Sequence, residues 1–127
     1  MTRTIITTEN APALAAPLSQ GIRKGSVLQV SGQLPLDADT GEVVGTTVAE
    51  QTTQTLRNLT AVLKAGGAGL EDLVMLRVYL TDPAHLAEMN GAYAAAVGEP
   101  FPARTTVYMQ LPQGILVEAD ALAVLDD

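Results

Sequence analysis

The chain has 127 residues, 47% hydrophobic and 17% charged, which fits one folded domain spanning residues 1–127 and excludes a disordered chain. Fourteen Asp and Glu against seven Lys and Arg give a formal net charge of −7. With no basic cluster, that balance argues against a nucleic-acid partner. The absence of cysteine excludes disulfides, thiolate catalysis and cysteine zinc sites, and the single His85 excludes any site that needs two histidines.

Aromatic residues make up 3% of the chain, with one Phe and no Trp, so the core must be aliphatic. Residues 1–6 lack the apolar run of a signal peptide. No stretch approaches the roughly 18–20 apolar residues that span a bilayer. The expectation is a soluble cytoplasmic protein with no membrane contact.

Residues 3–7 read as a short strand, followed by a loop over 10–17 in which Pro12 and Pro17 disfavour a helix. Ser19 to Arg23 reads as a strand, Lys24-Gly25-Ser26 as a turn, and Val27 to Ser31 as a strand pairing back. Gly32 to Pro35 is expected to leave that strand. Asp37-Ala38-Asp39-Thr40-Gly41 carries turn chemistry, because Asp and Thr side chains bond the backbone and Gly allows positive φ. Thr47-Val48-Ala49-Glu50 matches a capping box. The helix it opens puts Val48, Thr55, Leu56, Leu59, Val62 and Leu63 on one stripe. Gln51, Gln54, Arg57, Asn58 and Lys64 fall mostly elsewhere. Gly66-Gly67 ends it.

Leu73 to Leu80 is aliphatic on both alternating faces, Val74-Leu76-Val78-Leu80 and Leu73-Met75-Arg77-Tyr79. That pattern predicts a central strand covered on both sides. Two helices cannot cover both faces, so the second is expected to meet another subunit. Asp82-Pro83 opens a second helix with a stripe at Leu86, Met89, Tyr93 and Val97, and Gly98 ends it. Arg104–Met109 and Ile115–Leu125 are the last two strands. The order predicts an α+β fold, a mixed sheet with two helices on one face.

Two prolines pin the chain just before Arg104, whose planar fork of donors suits a carboxylate or phosphate. At period two, Arg104, Thr106 and Tyr108 share one face of their strand, and Glu118 and Asp120 share one face of theirs. The turn at Pro112–Gly114 could pair the two strands. The residues alone leave two readings open. One is a structural ion pair of an acid with Arg104 or Arg77. The other is an anion-binding arginine beside a carboxylate that positions or deprotonates water. His85 reads as a solvated first-turn residue and Tyr93 as core. Gly66 to Gly69 lacks the lysine and spacing of a phosphate loop. No Gly-x-Ser-x-Gly elbow is present.

Phe101-Pro102-Ala103-Arg104-Thr105-Thr106-Val107, then Leu111-Pro112 and Leu116-Val117-Glu118, resemble the C-terminal signature of the Rid family. That family is also called reactive intermediate deaminase, YjgF-like or endoribonuclease L-PSP. Asn10-Ala11-Pro12, Pro17-Leu18-Ser19-Gln20-Gly21, Val30 to Leu36, Thr40-Gly41-Glu42, Gln51-Thr52 through Asn58-Leu59, and Asn90-Gly91-Ala92-Tyr93 agree in order. The resemblance covers nearly the whole chain.

It implies a chorismate-mutase-like two-layer sandwich, assembled as a homotrimer with a central barrel-like core and sites in clefts between subunits. It implies hydrolysis of 2-imino acids, or their enamine tautomers, to 2-keto acids and ammonia. Arg104 would bind the substrate carboxylate and Glu118 would hold the attacking water. Leu18, Ser31, Gly32, Asn90 and Thr106 would contact substrate, and Asp120 would be structural. Neither metal nor cofactor is implied, since an imine carbon is already electrophilic. Leu18 stands where the family's imine deaminases often carry Tyr, Ala16 where they carry Gly, and Thr106 where some carry Cys. The alternatives are a non-catalytic module sensing 2-keto acids and, against the acidic balance, an endoribonuclease.

Overall fold

The computed structural model describes residues 2–126. Its elements run β1 (Thr4–Ile6), β2 (Gly21–Lys24), β3 (Val27–Gln33), α1 (Val48–Ala65), β4 (Leu73–Leu80), α2 (Leu86–Val97), β5 (Ala103–Tyr108) and β6 (Val117–Val124).

The capping box forms as the sequence predicts. Thr47 Oγ1 accepts from the Glu50 amide at 3.2 Å, and Glu50 Oε1 accepts from the Thr47 amide at 3.1 Å. The amide of Gly66 closes the last turn, and Gly67 takes the left-handed conformation at φ 84° that a side chain would resist. Val48, Thr55, Leu56, Leu59, Val62 and Leu63 are all buried.

Gln51 and Asn58, expected away from that stripe, are buried with it. The reason is the loops beneath the helix, whose backbone groups need partners. Asn58 Nδ2 donates to the Leu34 and Leu36 carbonyls, both at 2.9 Å. Gln51 donates to the Gly114 carbonyl at 2.9 Å and accepts from the Leu116 amide at 2.7 Å.

The second helix begins with a short 3-10 turn, Pro83–His85, before α2 proper. Asp82 caps it, accepting from the Ala84 amide at 2.9 Å. Met89 and Tyr93 are its buried residues. His85 is half-buried rather than solvated, and its Nδ1 is buried without a hydrogen-bond partner.

The six strands form one sheet in the order β1-β2-β3-β6-β4-β5. The β4–β5 pair is parallel and the rest are antiparallel, so the sheet is mixed. This corrects the expected pairing of the last two strands, because β5 and β6 flank β4 on opposite sides. Both are tied to the end of β4: Met109 donates to the Leu80 carbonyl at 2.9 Å, and Thr81 donates to the Leu116 carbonyl at 3.2 Å. The strand β3 also runs on through Gly32 and Gln33 instead of ending at Ser31, with a bulge between Val30 and Gln33.

The helices cover one face, burying Leu28 and Val30 of β3, Leu76, Val78 and Leu80 of β4, and Val117, Ala119, Ala121 and Ala123 of β6. Val74, expected on that face, is exposed, because a register shift between Leu73 and Met75 breaks the alternation. The other face is open. It carries Val27, Met75, Arg77, Tyr79, Glu118, Asp120, Leu122 and Val124. Among the described residues no helix is long and apolar enough to cross a membrane.

Candidate functional site

Pairing fixes where each functional side chain points. Leu76 lies beside Arg104 and Val78 beside Thr106. Neighbours in register share a face, so Arg104, Thr106 and Tyr108 lie on the helix side. The Arg104 guanidinium carbon stands 4.8 Å from the centroid of the Tyr93 ring, a cation–π distance. The Phe101 ring is 6.3 Å from that of Tyr93. Asn90, Tyr93, Ala94, Phe101, Pro102 and Arg104 line a cavity of about 350 Å³. Into this region come two buried polar atoms with no partner, Asn90 Oδ1 and Tyr93 Oη. Burial pushes the Tyr93 hydroxyl up, and the Arg104 charge opposes that shift. Among the described residues, no carboxylate pairs with Arg104.

On β6 the buried residues are the odd ones, which turns Glu118 and Asp120 to the open face. Asp120 is fully engaged. Its Oδ1 accepts from Arg77 Nε at 2.8 Å and its Oδ2 from the Tyr79 hydroxyl at 2.7 Å. Glu118 is half-buried and, among the described residues, accepts no hydrogen bond and makes no ion pair. Burial, and after it the charge of Asp120, raises its pKa above the usual carboxylate range. The β3 bulge places Gly32 against this carboxylate, and a side chain at Gly32 would collide with it. Beside it, Ser31 donates from Oγ to the Ser19 carbonyl at 2.5 Å and from its amide to the Gln20 carbonyl at 2.9 Å.

The sequence-derived residues thus form two groups. Asn90 joins Arg104, with Thr106 half-buried two residues along β5. Gly32 and Ser31 join Glu118. Leu18 is 49% exposed in the loop before β2 and lines a different cavity of about 610 Å³. Arg104 and Glu118 stand on opposite faces of the sheet, so no ion pair forms between them within one chain. The pairing of an acid with Arg77 holds, and it takes Asp120. The period-two pattern did not show the Arg104–Glu118 separation, because strand order decides which faces align. The buried alternation Val117-Ala119-Ala121-Ala123 was the available signal for the acids. Sequence reasoning also missed the Tyr93 ring beneath Arg104 and Tyr79 as a partner of Asp120. Among the described residues, no three His, Asp or Glu side chains converge in a metal-binding group.

The mixed six-stranded sheet with both helices on one face matches the family that sequence comparison defines. The profile of the Endoribonuclease L-PSP family matches residues 8–125. The chain belongs to this family, the Rid or YjgF family. A RutC family protein of Pyrococcus horikoshii is 43% identical over 120 residues, covering 94% of this chain and 95% of the relative. A protein of Escherichia coli K12 named 2-iminobutanoate/2-iminopropanoate deaminase is 39% identical over 123 residues, covering 94% and 95%. The crystal structure of the Escherichia coli YjgF gene product superposes with a TM-score of 0.90 at 38% identity, covering 95% of this chain and 98% of that one.

Proposed function

We propose that the protein is a hydrolytic deaminase of reactive 2-imino acids and their enamine tautomers, releasing 2-keto acids and ammonia. The observation that carries the reading is that neither Arg104 nor Glu118 has a charged partner among the described residues. Arg104 is held over an aromatic ring with no carboxylate, and Glu118 is half-buried with no donor. An arginine and a carboxylate left free of protein partners keep their donors and acceptors available for a ligand and a water. The relative named as an imine deaminase supports the same chemistry.

In this reading the substrate carboxylate takes two parallel bonds from Arg104. Water held by Glu118 attacks the imine carbon while the carboxylate takes its proton. That proton passes on to the imine nitrogen to give the carbinolamine, and the hydroxyl proton then moves by way of Glu118 to the amine as the C–N bond breaks, releasing ammonia and leaving the 2-keto acid. Ser31, Gly32, Thr106 and Asn90 line the cleft, Asn90 Oδ1 as an acceptor for a substrate N–H, and Leu18, in a separate cavity of its own chain, would reach it only from a neighbouring copy.

Because Arg104 and Glu118 occupy opposite faces, one site takes Arg104 from one chain and Glu118 from the next. Such a contact joins two different surfaces, and contacts of that kind form a ring where the rotation between copies closes. A homotrimer is the ring proposed here, with the apolar open-face residues Val27, Met75, Leu122 and Val124 at its interfaces. Sedimentation should show a species of three times the 13.2 kDa chain mass, and a monomer at micromolar concentration would refute the assembly.

The activity test is 2-iminopropionate generated in situ by an amino-acid oxidase, with ammonia and semicarbazone formation followed. Accelerated ammonia release is expected. Identical decay with and without protein would sink the enzymatic reading and leave a binding module.

A further inference from the structure

The open face carries four polar side chains together: Arg77 and Tyr79 on β4, Glu118 and Asp120 on β6. Register sets Arg77 opposite Asp120 and Tyr79 opposite Glu118. Direct cross-strand pairing would therefore give each acid one donor. The structure departs from that pattern. The Tyr79 hydroxyl reaches diagonally to Asp120 Oδ2 at 2.7 Å, while Arg77 holds Asp120 Oδ1 at 2.8 Å. Asp120 has both donors and Glu118 has neither.

We propose that Asp120 is a positioning residue for Glu118: by engaging the Arg77 guanidinium and the Tyr79 hydroxyl together, it keeps both donors off the Glu118 carboxylate. The proposal rests on the reading of Glu118 as the carboxylate that holds the hydrolytic water.

The chemistry explains why such a device is useful. A carboxylate bonded to arginine has its oxygens occupied and its proton affinity lowered, so it is a poor base near neutrality. Glu118 in its present setting has free oxygens. Burial and the nearby charge of Asp120 both strengthen its hold on a proton. The Arg77 charge on Asp120 offsets the repulsion between the two acids, which lets them sit two residues apart on one strand. The remaining neighbours on this face do not titrate in the relevant range. Ser31 and Gly32 come from β3, while β5 presents Ala103, Thr105 and Val107. The helices lie on the opposite side.

The inference gives two variants opposite signs. Asp120→Asn removes a negative charge and weakens the hold on Arg77 and Tyr79, so the Glu118 pKa should fall. Arg77→Gln leaves Asp120 charged and less compensated, so the Glu118 pKa should rise. Arg77 has a side chain 51% exposed, so this variant tests the idea even if Asp120→Asn fails to fold.

The measurement is a ¹³C carboxyl NMR titration of Glu118 in substrate-free protein, beside the pH profile of kcat/KM for 2-iminopropionate. The acid limb of the profile should move down in Asp120→Asn and up in Arg77→Gln, in step with the titration. A merely structural role would slow both variants without moving either midpoint. Midpoints that stay fixed, or move in the same direction, overturn the role of Asp120. An inactive wild type overturns the proposed function instead, and the titration still decides whether Asp120 governs Glu118.

Discussion

Arg104 and Glu118 differ in what their surroundings do to them. The Arg104 guanidinium carbon stands 4.8 Å from the Tyr93 ring centroid, and in the proposed reading its donors take the substrate carboxylate. Two charge-assisted bonds at about 1.5–3 kcal/mol each correspond to roughly a hundred-fold or larger loss when both vanish. Arg104→Ala should therefore lower kcat/KM for 2-iminopropionate by about that factor while the assembly stays intact, and an undiminished rate would refute the assignment. Glu118 carries a stability cost that can be measured separately. Its folded pKa is raised, so the folded state binds more protons than the unfolded one between the ordinary glutamate value and the folded value. Stability then falls as pH rises through that window. Glu118→Gln should be inactive yet have the higher Tm at pH 7, with the difference shrinking as pH drops toward the ordinary glutamate value. Equal pH dependence in both proteins would contradict the raised pKa. These two residues were legible in the sequence through the Phe-Pro-Ala-Arg segment and the family match. Their environments were not, since Tyr93 comes from a helix and the donors around Asp120 from another strand.

The elements show where local signals suffice and where they fail. The capping box at Thr47 was readable because its four residues hold all the atoms that it needs. Thr47→Ala should cost about 1 kcal/mol, about 3–5 °C in Tm, with little change in activity. Gln51 was not readable. Its partners, Gly45, Gly114 and Leu116, are far along the chain, and its polar character pointed outward. Gln51→Leu strands the Leu116 amide and two carbonyls, which should cost about 2 kcal/mol or more. It also loosens the segment that leads into β6, so activity should fall beyond the loss of folded protein. Denaturant melts and rates normalised to folded fraction separate these effects. The strand order was likewise hidden. Alternation within β5 and β6 marks faces, but only the placement of β4 between them shows that those faces oppose.

At the scale of the whole molecule, the separation of Arg104 from Glu118 is the main result. The apolar pattern of Leu73 to Leu80 predicted a strand covered on both sides, the second by another subunit, and within one chain that second face is open on β3, β4 and β6. The two helices bury the core on the other side. In the proposed reading, a sheet built this way gives each chain half a site twice over, Arg104 at one edge and Glu118 on the open face. Neighbouring copies would complete both halves. The most direct test is to co-express the two inactive variants, Arg104→Ala and Glu118→Gln, so that mixed oligomers form. Random mixing places an intact Arg104 beside an intact Glu118 at about a quarter of the interfaces. The account predicts recovery of about a quarter of wild-type 2-iminopropionate hydrolysis. Mixed oligomers no more active than either parent would contradict it.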